Sequence, residues 1–328
     1  MKHARYTHRG PVPQDVIEAV EFTLPPPAEG QVLVEVTAAP INPSDVLTLT
    51  GQYGSLPPLP AVGGNEGVGR VAELGPGVAG LKPGQCVLLP VGSGTWTTHM
   101  LADAKALVPL PDGADHLQLS MLTVNPPTAR LLLSDFADLQ PGDWVVQNAA
   151  NSAVGGYVVQ LAKARGLRTV NVVRRDDARA AVAEAGGDVV LVDGDDLVAR
   201  VREATGGATI ALAIDAVGGM ATERLAQSLA PGGTVVNYGA MGGEACLVSP
   251  ASLIFRDIRL RGFWLSRWYK SADPKMRADL FRELSGMIAS GRLRAQIQAT
   301  YGIDAIREAV AEAASGKRSG KIVITPNA

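Results

Sequence analysis

The sequence predicts an α/β protein in two parts, a β-rich domain first and a doubly wound parallel sheet after it. Three observations carry that prediction. Short apolar runs separated by Gly and Pro fill residues 1–122, and strands alternate with helices from residue 144 onward. A length of 328 residues also exceeds the roughly 250–300 at which a single core stops growing.

In the first part, "QVLVEVTAAPI" (31–41), "GVGRVAELG" (67–75) and "CVLLPV" (86–91) read as strands, with "LKPGQCVLL" as a turn delivering one. That pattern suits a small twisted barrel or sandwich. The stretch "GQYGSLPPLPAVGGNEGVG" (51–69) is too rich in Gly and Pro for a long helix or a central strand, so it reads as a surface or cleft loop. It carries one large amphipathic side chain, Tyr53, and then the polar pair Asn65 and Glu66. Such a tyrosine either packs its ring beneath the loop or works from it.

In the second part, "WVVQNAA" (144–150) is a buried strand and "VGGYVVQLAKARG" (154–166) an amphipathic helix stopping at Gly166. "RTVNVVRR" (168–175) is the next strand, and helices near 177–185 and 196–204 flank the strand "DVVLVDG". "TIALAIDAVGG" (209–219), "ATERLAQSLAPGG" (221–233) and "TVVNYGAMGG" (234–243) continue the alternation of a doubly wound sheet. "IRLRGFWLSRWYK" (258–270) reads as a closing edge strand with aromatics at period two, which fits a core or a subunit seam. Helices in "DLFRELSGMIASGRL" and "AIREAVAEAASGKRSGKIVIT" and a last strand finish the chain, and pattern alone leaves open which domain they join.

Composition narrows the classes. With 46% hydrophobic and 19% charged residues and a net charge of -2, the chain gives no electrostatic reason for a nucleic-acid or membrane partner. No apolar run approaches the roughly 18 residues of a membrane helix, and the start MKHARYTHRG lacks a signal peptide's apolar stretch. Two isolated cysteines, Cys86 and Cys246, build no disulfide framework. A soluble, cytoplasmic protein is expected.

The first strand–turn–helix of the α/β part is where a dinucleotide pyrophosphate would rest, against backbone N–H groups and the positive end of the helix. Its glycine spacing is imperfect, with Ala150, Ala153, Gly155 and Gly156 where Gly-x-Gly-x-x-Gly is the pattern. The following strand ends in Arg174 and Arg175 rather than in an acidic residue that would select a free ribose hydroxyl. Two guanidiniums there suit a 2′-phosphate, so NADP(H) is the expected cofactor; two ordinary surface arginines are the alternative. No metal is expected, because two cysteines and His3, His8, His99 and His116 form no ligand-spaced set for zinc. No Gly-x-Ser-x-Gly elbow supports a serine hydrolase.

Five segments in register, "INPSDVLTLTGQYG" (41–54), "LPAVGGNEGVG" (59–69), "LQPGDWVVQNAANSAVG" (139–155), "GLRTVNVVRR" (166–175) and "IFRDIRLRGFWLSRW" (254–268), resemble the medium-chain dehydrogenase/reductase superfamily over essentially the whole chain. Within it the chain is similar to NADPH-dependent trans-2-enoyl thioester reductases of the mitochondrial type and their bacterial relatives. The resemblance implies a GroES-like β-rich catalytic domain over 1–122, completed by 268–328, and an NADP-binding Rossmann domain over 123–267. Where zinc enzymes of the superfamily carry Gly-His-Glu, this chain has Gly64-Asn65-Glu66.

By the same resemblance Tyr53 is the catalytic residue and Asn125 a cofactor contact. Ser152, Ala153, Val154 and Gly155 would hold the pyrophosphate, and Arg174 with Arg175 the 2′-phosphate. Tyr238, Gly239, Ala240, Met241, Phe263, Trp264, Leu265 and Ser266 would line the nicotinamide end, with Lys321 nearby. Two departures stand out: Ala153 replaces a usual glycine, and residues 176–200 match poorly. The implied activity is reduction of the α,β double bond of an enoyl thioester of coenzyme A or acyl carrier protein, with Tyr53 as proton donor or enolate anchor. A quinone or small-enone reductase is the neighbouring alternative, and an NADPH-binding protein without turnover a third. A homodimer formed through the edge strand is also implied. Arg267, Lys270, Lys317 and Arg318 form either a basic rim for phosphates or an acidic carrier, or a solvated face.

Overall fold

The computed structural model describes residues 1–316 and 319–328. Its chain divides into two units, Met1–Val124 with Asp279–Ala328, and Asn125–Ala278.

The first unit runs β1 (Lys2–Tyr6), β2 (Ile17–Glu21), β3 (Gln31–Pro40), α1 (Pro43–Thr50), β4 (Ala61–Val62), β5 (Val68–Leu74), β6 (Cys86–Leu88), β7 (His99–Asp103), β8 (Val108–Pro109) and α2 (His116–Leu119). Strand β3 is its hub, pairing antiparallel with both β5 and β7. Its period-two alternation sends Val32, Val34 and Val36 inward to meet Val71, Val87 and Leu89. Helix α1 interrupts this β-rich run, although "VLTLT" is a β-branched sequence. Asn42 caps its start reciprocally with Asp45, Pro43 supplies a fixed φ, and Gly51 ends it at φ +80°.

The second unit runs α3 (Asn125–Leu132), β9 (Trp144–Gln147), α4 (Ala153–Ala164), β10 (Arg168–Val173), α5 (Arg179–Glu184), β11 (Val189–Val192), α6 (Leu197–Ala204), β12 (Ile210–Asp215), α7 (Gly219–Ser228), β13 (Thr234–Asn237), β14 (Arg259–Gly262), α8 (Leu265–Ser271) and the first turn of α9 (Pro274–Ala289). Among the described residues its strands form one parallel sheet in the order β11-β10-β9-β12-β13-β14. β9 is buried along its whole length, as a strand covered on both faces must be. The order reverses between β9 and β12, and ligands bind at such a switch point, outside the carboxyl ends of the strands.

The chain then closes with β15 (Ile297–Tyr301), α10 (Ile306–Ala314) and β16 (Lys321–Ile324). β16 pairs with β3 through Ile324 and Ala39. Ile306, Val310 and Ile322 join Ile17, Ile41 and Trp96 in one core. The tail left open by pattern alone therefore builds the β-rich unit.

Two expectations need correction. "FWLSRWYK" is not strand: β14 ends at Gly262, and Leu265–Ser271 is helix α8. Trp264 and Trp268 are four apart, a helical spacing, and the Trp264 carbonyl accepts the N–H groups of both Arg267 and Trp268. The unit boundary also lies later than the sequence placed it, so residues 268–278 belong to the α/β unit.

Candidate active site

Tyr53 lies three residues beyond α1. At the turn that ends the helix, the Gly51 N–H reaches the Thr48 carbonyl at 3.2 Å, while the Gln52 and Tyr53 N–H groups reach Leu47 at 2.8 and 3.2 Å. The tyrosine side chain is half-buried. Further along, the Arg9 guanidinium donates to the Pro57 carbonyl and ties down the proline-rich half of the loop.

The other end of α1 is set in a buried polar cluster. The Asn42 backbone N–H donates to Asp45 Oδ2 at 2.7 Å, and Asn65 Nδ2 donates to Asp45 Oδ1 at 2.7 Å. Asn42 Nδ2 donates to Glu66 Oε1 at 2.7 Å, and Glu66 Oε2 accepts from the Thr123 N–H at 3.1 Å and the Thr123 hydroxyl at 2.9 Å. Lys321 Nζ donates to Asn42 Oδ1 at 2.6 Å and to the Ile41 carbonyl at 3.0 Å. Burial pushes Asp45 up to about 6, against the Asn42 N–H and the Lys321 charge. Burial likewise pushes Glu66 up to about 7, with Lys321, Asn42 and Thr123 pulling it down. Asn65 thus serves as the donor that satisfies a buried carboxylate, and Glu66 holds the residue two places before Asn125.

In the α/β unit, residues 152–155, Arg174 and Arg175, residues 238–241 and residues 263–266 follow β9, β10, β13 and β14 respectively, beyond the carboxyl ends of one parallel sheet. Ser152 caps α4, its hydroxyl accepting the Gly155 N–H at 3.1 Å. The first-turn N–H groups at Ala153 and Val154 have no acceptor within the helix, as at any helix start. A side chain at Gly155 would put its Cβ 2.6 Å from the Ala150 carbonyl oxygen, so only glycine lets α4 lie this close to the turn. The turn itself is made by Ala149 at φ 46°, a left-handed conformation in which glycine is the usual residue. Ala153, in place of the glycine that the resemblance implies, is the first residue of α4.

Arg174 and Arg175 are exposed where β10 ends, with Arg175 Nε 3.1 Å from Asp177. Tyr238 follows β13, with Gly239, Ala240 and Met241 continuing outward to solvent. The Tyr238 hydroxyl is buried beside Ser152 without a hydrogen bond of sound geometry, and burial holds the phenol well above its usual range. Phe263 follows β14 and meets Phe136 edge-to-face at 5.9 Å. Trp264 is exposed at the cap of α8, which then carries Leu265 and Ser266. Asn125 is buried at the start of α3.

Sequence reasoning missed Asp215. It ends β12 and accepts from Asn148 Nδ2 at 2.6 Å, the Thr222 hydroxyl at 2.7 Å, Asn237 Nδ2 at 2.9 Å and the Val217 N–H at 2.9 Å. Burial opposes its ionisation, but these donors outweigh it and hold the carboxyl below the ordinary carboxylate range. One carboxylate thereby ties together the ends of β9, β12 and β13, the edge that also carries Ser152 and Tyr238. The signal available in the sequence was an aspartate ending an apolar strand run.

These features fit a dinucleotide: a glycine cradle at a helix start, a buried hydroxyl lacking a good partner, and two guanidiniums one strand over. Tyr53 and Lys321 both belong to the β-rich unit. On the basic rim, Arg267 and Lys270 are exposed on α8, whereas Lys317 and Arg318 lie outside the described residues. Among the described residues no group of three or more His, Cys, Asp or Glu is arranged to hold a metal ion, and no helix is long and apolar enough to cross a membrane.

Comparison with known proteins gives the same frame. Residues 28–112 match the alcohol dehydrogenase GroES-like domain, and residues 153–282 the zinc-binding dehydrogenase model. The mitochondrial enoyl-[acyl-carrier-protein] reductase of Rattus norvegicus is 42% identical over 289 residues, covering 86% of this chain and 78% of its own. Among solved structures, Etr1p in complex with NADP and crotonyl-CoA superposes with a TM-score of 0.89 at 25% identity, covering 99% of both chains. A putative NADPH:quinone reductase from Bacillus thuringiensis superposes with a TM-score of 0.89 at 29% identity, covering 99% of this chain and 98% of its own. By sequence and by fold, this chain belongs to the medium-chain dehydrogenase/reductase superfamily and to its enoyl thioester reductase family.

Proposed function

We propose that this protein reduces the α,β double bond of trans-2-enoyl thioesters at the expense of NADPH, with Tyr53 as the hydroxyl donor. The observation that carries the reading is the 42% identity to an enoyl-[acyl-carrier-protein] reductase, in a chain that presents a half-buried tyrosine anchored to the end of α1.

The nicotinamide, when bound, supplies the hydride that the β-carbon takes. Ser152 and the first-turn N–H groups of α4 hold the pyrophosphate, and Arg174 with Arg175 the 2′-phosphate. The Tyr238 hydroxyl, buried at the α4 cap, offers one donor and one acceptor to the same ligand. As the β-carbon is reduced, negative charge gathers on the thioester oxygen and the α-carbon then needs a proton. Tyr53 carries a phenolic O–H that serves either demand, and preorganised donors of this kind act where charge develops.

The acyl carrier is coenzyme A or an acyl carrier protein, and the exposed Arg267 and Lys270 are suited to phosphate or acidic groups on either. The protein works as a homodimer: β14 is an edge strand exposed along its length, flanked by the exposed Ile254 and Phe255. Its address is the cytoplasm; the mitochondrial location in the relatives' names is theirs.

A quinone reductase is the second reading, favoured by the likeness to the Bacillus thuringiensis structure. NADPH oxidation with crotonyl-CoA, longer enoyl-CoAs and a benzoquinone, by wild type and Tyr53→Phe, decides between them. Thioester turnover lost in the variant supports the proposal. Quinone turnover indifferent to the variant, with no thioester turnover by wild type, replaces it.

A further inference from the structure

The cluster at the start of α1 holds two carboxylates and one ammonium among buried side chains: Asn42, Asp45, Glu66, Thr123 and Lys321 are each less than 5% exposed. Hydrophobic packing would hold α1 in place with less desolvation, since buried charges are costly even when paired. What such a cluster adds is direction. The three bonds that Asn42 makes to Asp45, Glu66 and Lys321 are 2.6–2.7 Å long, so the placement of the Asn42 turn is narrowly set if all are to be satisfied.

The Asn42 side chain is the junction. Its Oδ1 faces Lys321, its Nδ2 faces Glu66, and its backbone N–H faces Asp45 in the first turn of α1. Helix α1 is then a rod of eight residues, about 12 Å long. At its far end Leu47 receives the Gln52 and Tyr53 N–H groups. A tilt at the Asn42 end is therefore delivered to the Tyr53 loop, and displacements of about 1 Å at a reacting group cost up to about 100-fold in rate.

We propose that Lys321 and Glu66 are positioning residues for Tyr53, acting through Asn42 and α1. The inference rests on the reading of Tyr53 as the donor. It assigns to Lys321 a task within the β-rich unit in place of a direct contact with the cofactor.

The test is a double-mutant cycle with Tyr53→Phe, using crotonyl-CoA and NADPH and the intact protein. Lys321→Met is expected to lower kcat by about 10–100-fold, to leave the NADPH dissociation constant within twofold by fluorescence titration, and to speed amide exchange at Gln52 and Tyr53. Added to Tyr53→Phe it lowers kcat no further, because it acts only through that residue. Should Lys321→Met fail to fold, Asn42→Ser serves, since serine still caps α1 but cannot bridge Lys321 and Glu66. Multiplicative losses in the double variant overturn the inference and leave the Tyr53 role intact. A tenfold loss of NADPH affinity in Lys321→Met also overturns it, by making the lysine a cofactor ligand. Full turnover by Tyr53→Phe alone removes the Tyr53 role, and this inference with it.

Discussion

The Tyr53 N–H is bonded to the Leu47 carbonyl at 3.2 Å, which fixes the proposed donor to the last turn of a helix rather than to a free loop. Tyr53→Phe keeps the ring and removes only the hydroxyl. It is expected to cut thioester turnover by about 10²–10⁴ while leaving NADPH affinity unchanged. Steady-state kinetics with crotonyl-CoA, beside fluorescence titration of NADPH, gives both numbers.

Arg174 and Arg175 stand exposed at the end of β10, with Arg175 held by Asp177 until a stronger anion arrives. Replacing both with alanine is expected to weaken NADPH binding by roughly 10–100-fold, the worth of about one charge-assisted hydrogen bond. NADH binding should hold steady, because the lost contact is to the 2′-phosphate alone. Equal losses for the two cofactors would show that the arginines serve the fold instead.

Two neighbouring glycines in α4 make opposite predictions. A Cβ at Gly155 would lie 2.6 Å from the Ala150 oxygen and 2.7 Å from its Cα, so Gly155→Ala is expected to cost about 1–3 kcal/mol and to impair NADPH binding. At Gly156 the nearest atom is 4.0 Å away, the end of the flexible Gln160 side chain. Gly156→Ala is therefore expected to gain up to about 1 kcal/mol from helix propensity. Thermal denaturation of the two variants reads the contrast directly.

The pH dependence of stability follows from Glu66 and Asp45, whose native acidities are shifted to about 7 and about 6 by burial, with Lys321 facing both. A folded-state pKa above the unfolded value means that the native state holds more protons across the interval between them. Stability then falls as pH rises. The contribution is full below about pH 4, where the unfolded chain is protonated too, and is lost as pH rises through 6 to 7. Urea denaturation midpoints between pH 4.5 and 8 are expected to fall, with a shallower slope in Glu66→Gln.

Ile254 and Phe255 are 71% and 82% exposed just ahead of the exposed strand β14. If that edge is the dimer seam, Phe255→Asp places a charge in it, and sedimentation should show monomer where the wild type shows dimer. A wild type that sediments as monomer, or a dimer indifferent to the change, would rule out this edge.

The parallel sheet was legible because "WVVQNAA", "RTVNVV" and "TVVN" each hold a pair of adjacent valines in a short run between turns, and their strands are almost wholly buried. The phosphate turn was legible from strand-turn-helix order, even without its full set of glycines. α1 was harder. Its Asn42-x-x-Asp45 capping pattern is present, but the β-branched "VLTLT" that follows argues locally for a strand. "FWLSRWYK" failed for a related reason, since its aromatics satisfy both a period of two and a spacing of four. The polar cluster could not be read at all. Lys321 sits in "KIVI", an ordinary strand by pattern, and its partner Asn42 is 279 residues away.

That cluster also constrains how the chain can diverge. Asp45 spends one oxygen on Asn65 and the other on Asn42, and Asn42 in turn serves both Glu66 and Lys321. Changing any member strands the polar group of another in a dry interior, so single steps away from the set cross a valley of low stability. A histidine at position 65, which the resemblance implies for zinc enzymes of the superfamily, would have to supply from a ring N–H the bond that Asn65 Nδ2 now gives Asp45. These five positions are bound to one another by epistasis, and their substitutions should accumulate in concert or not at all.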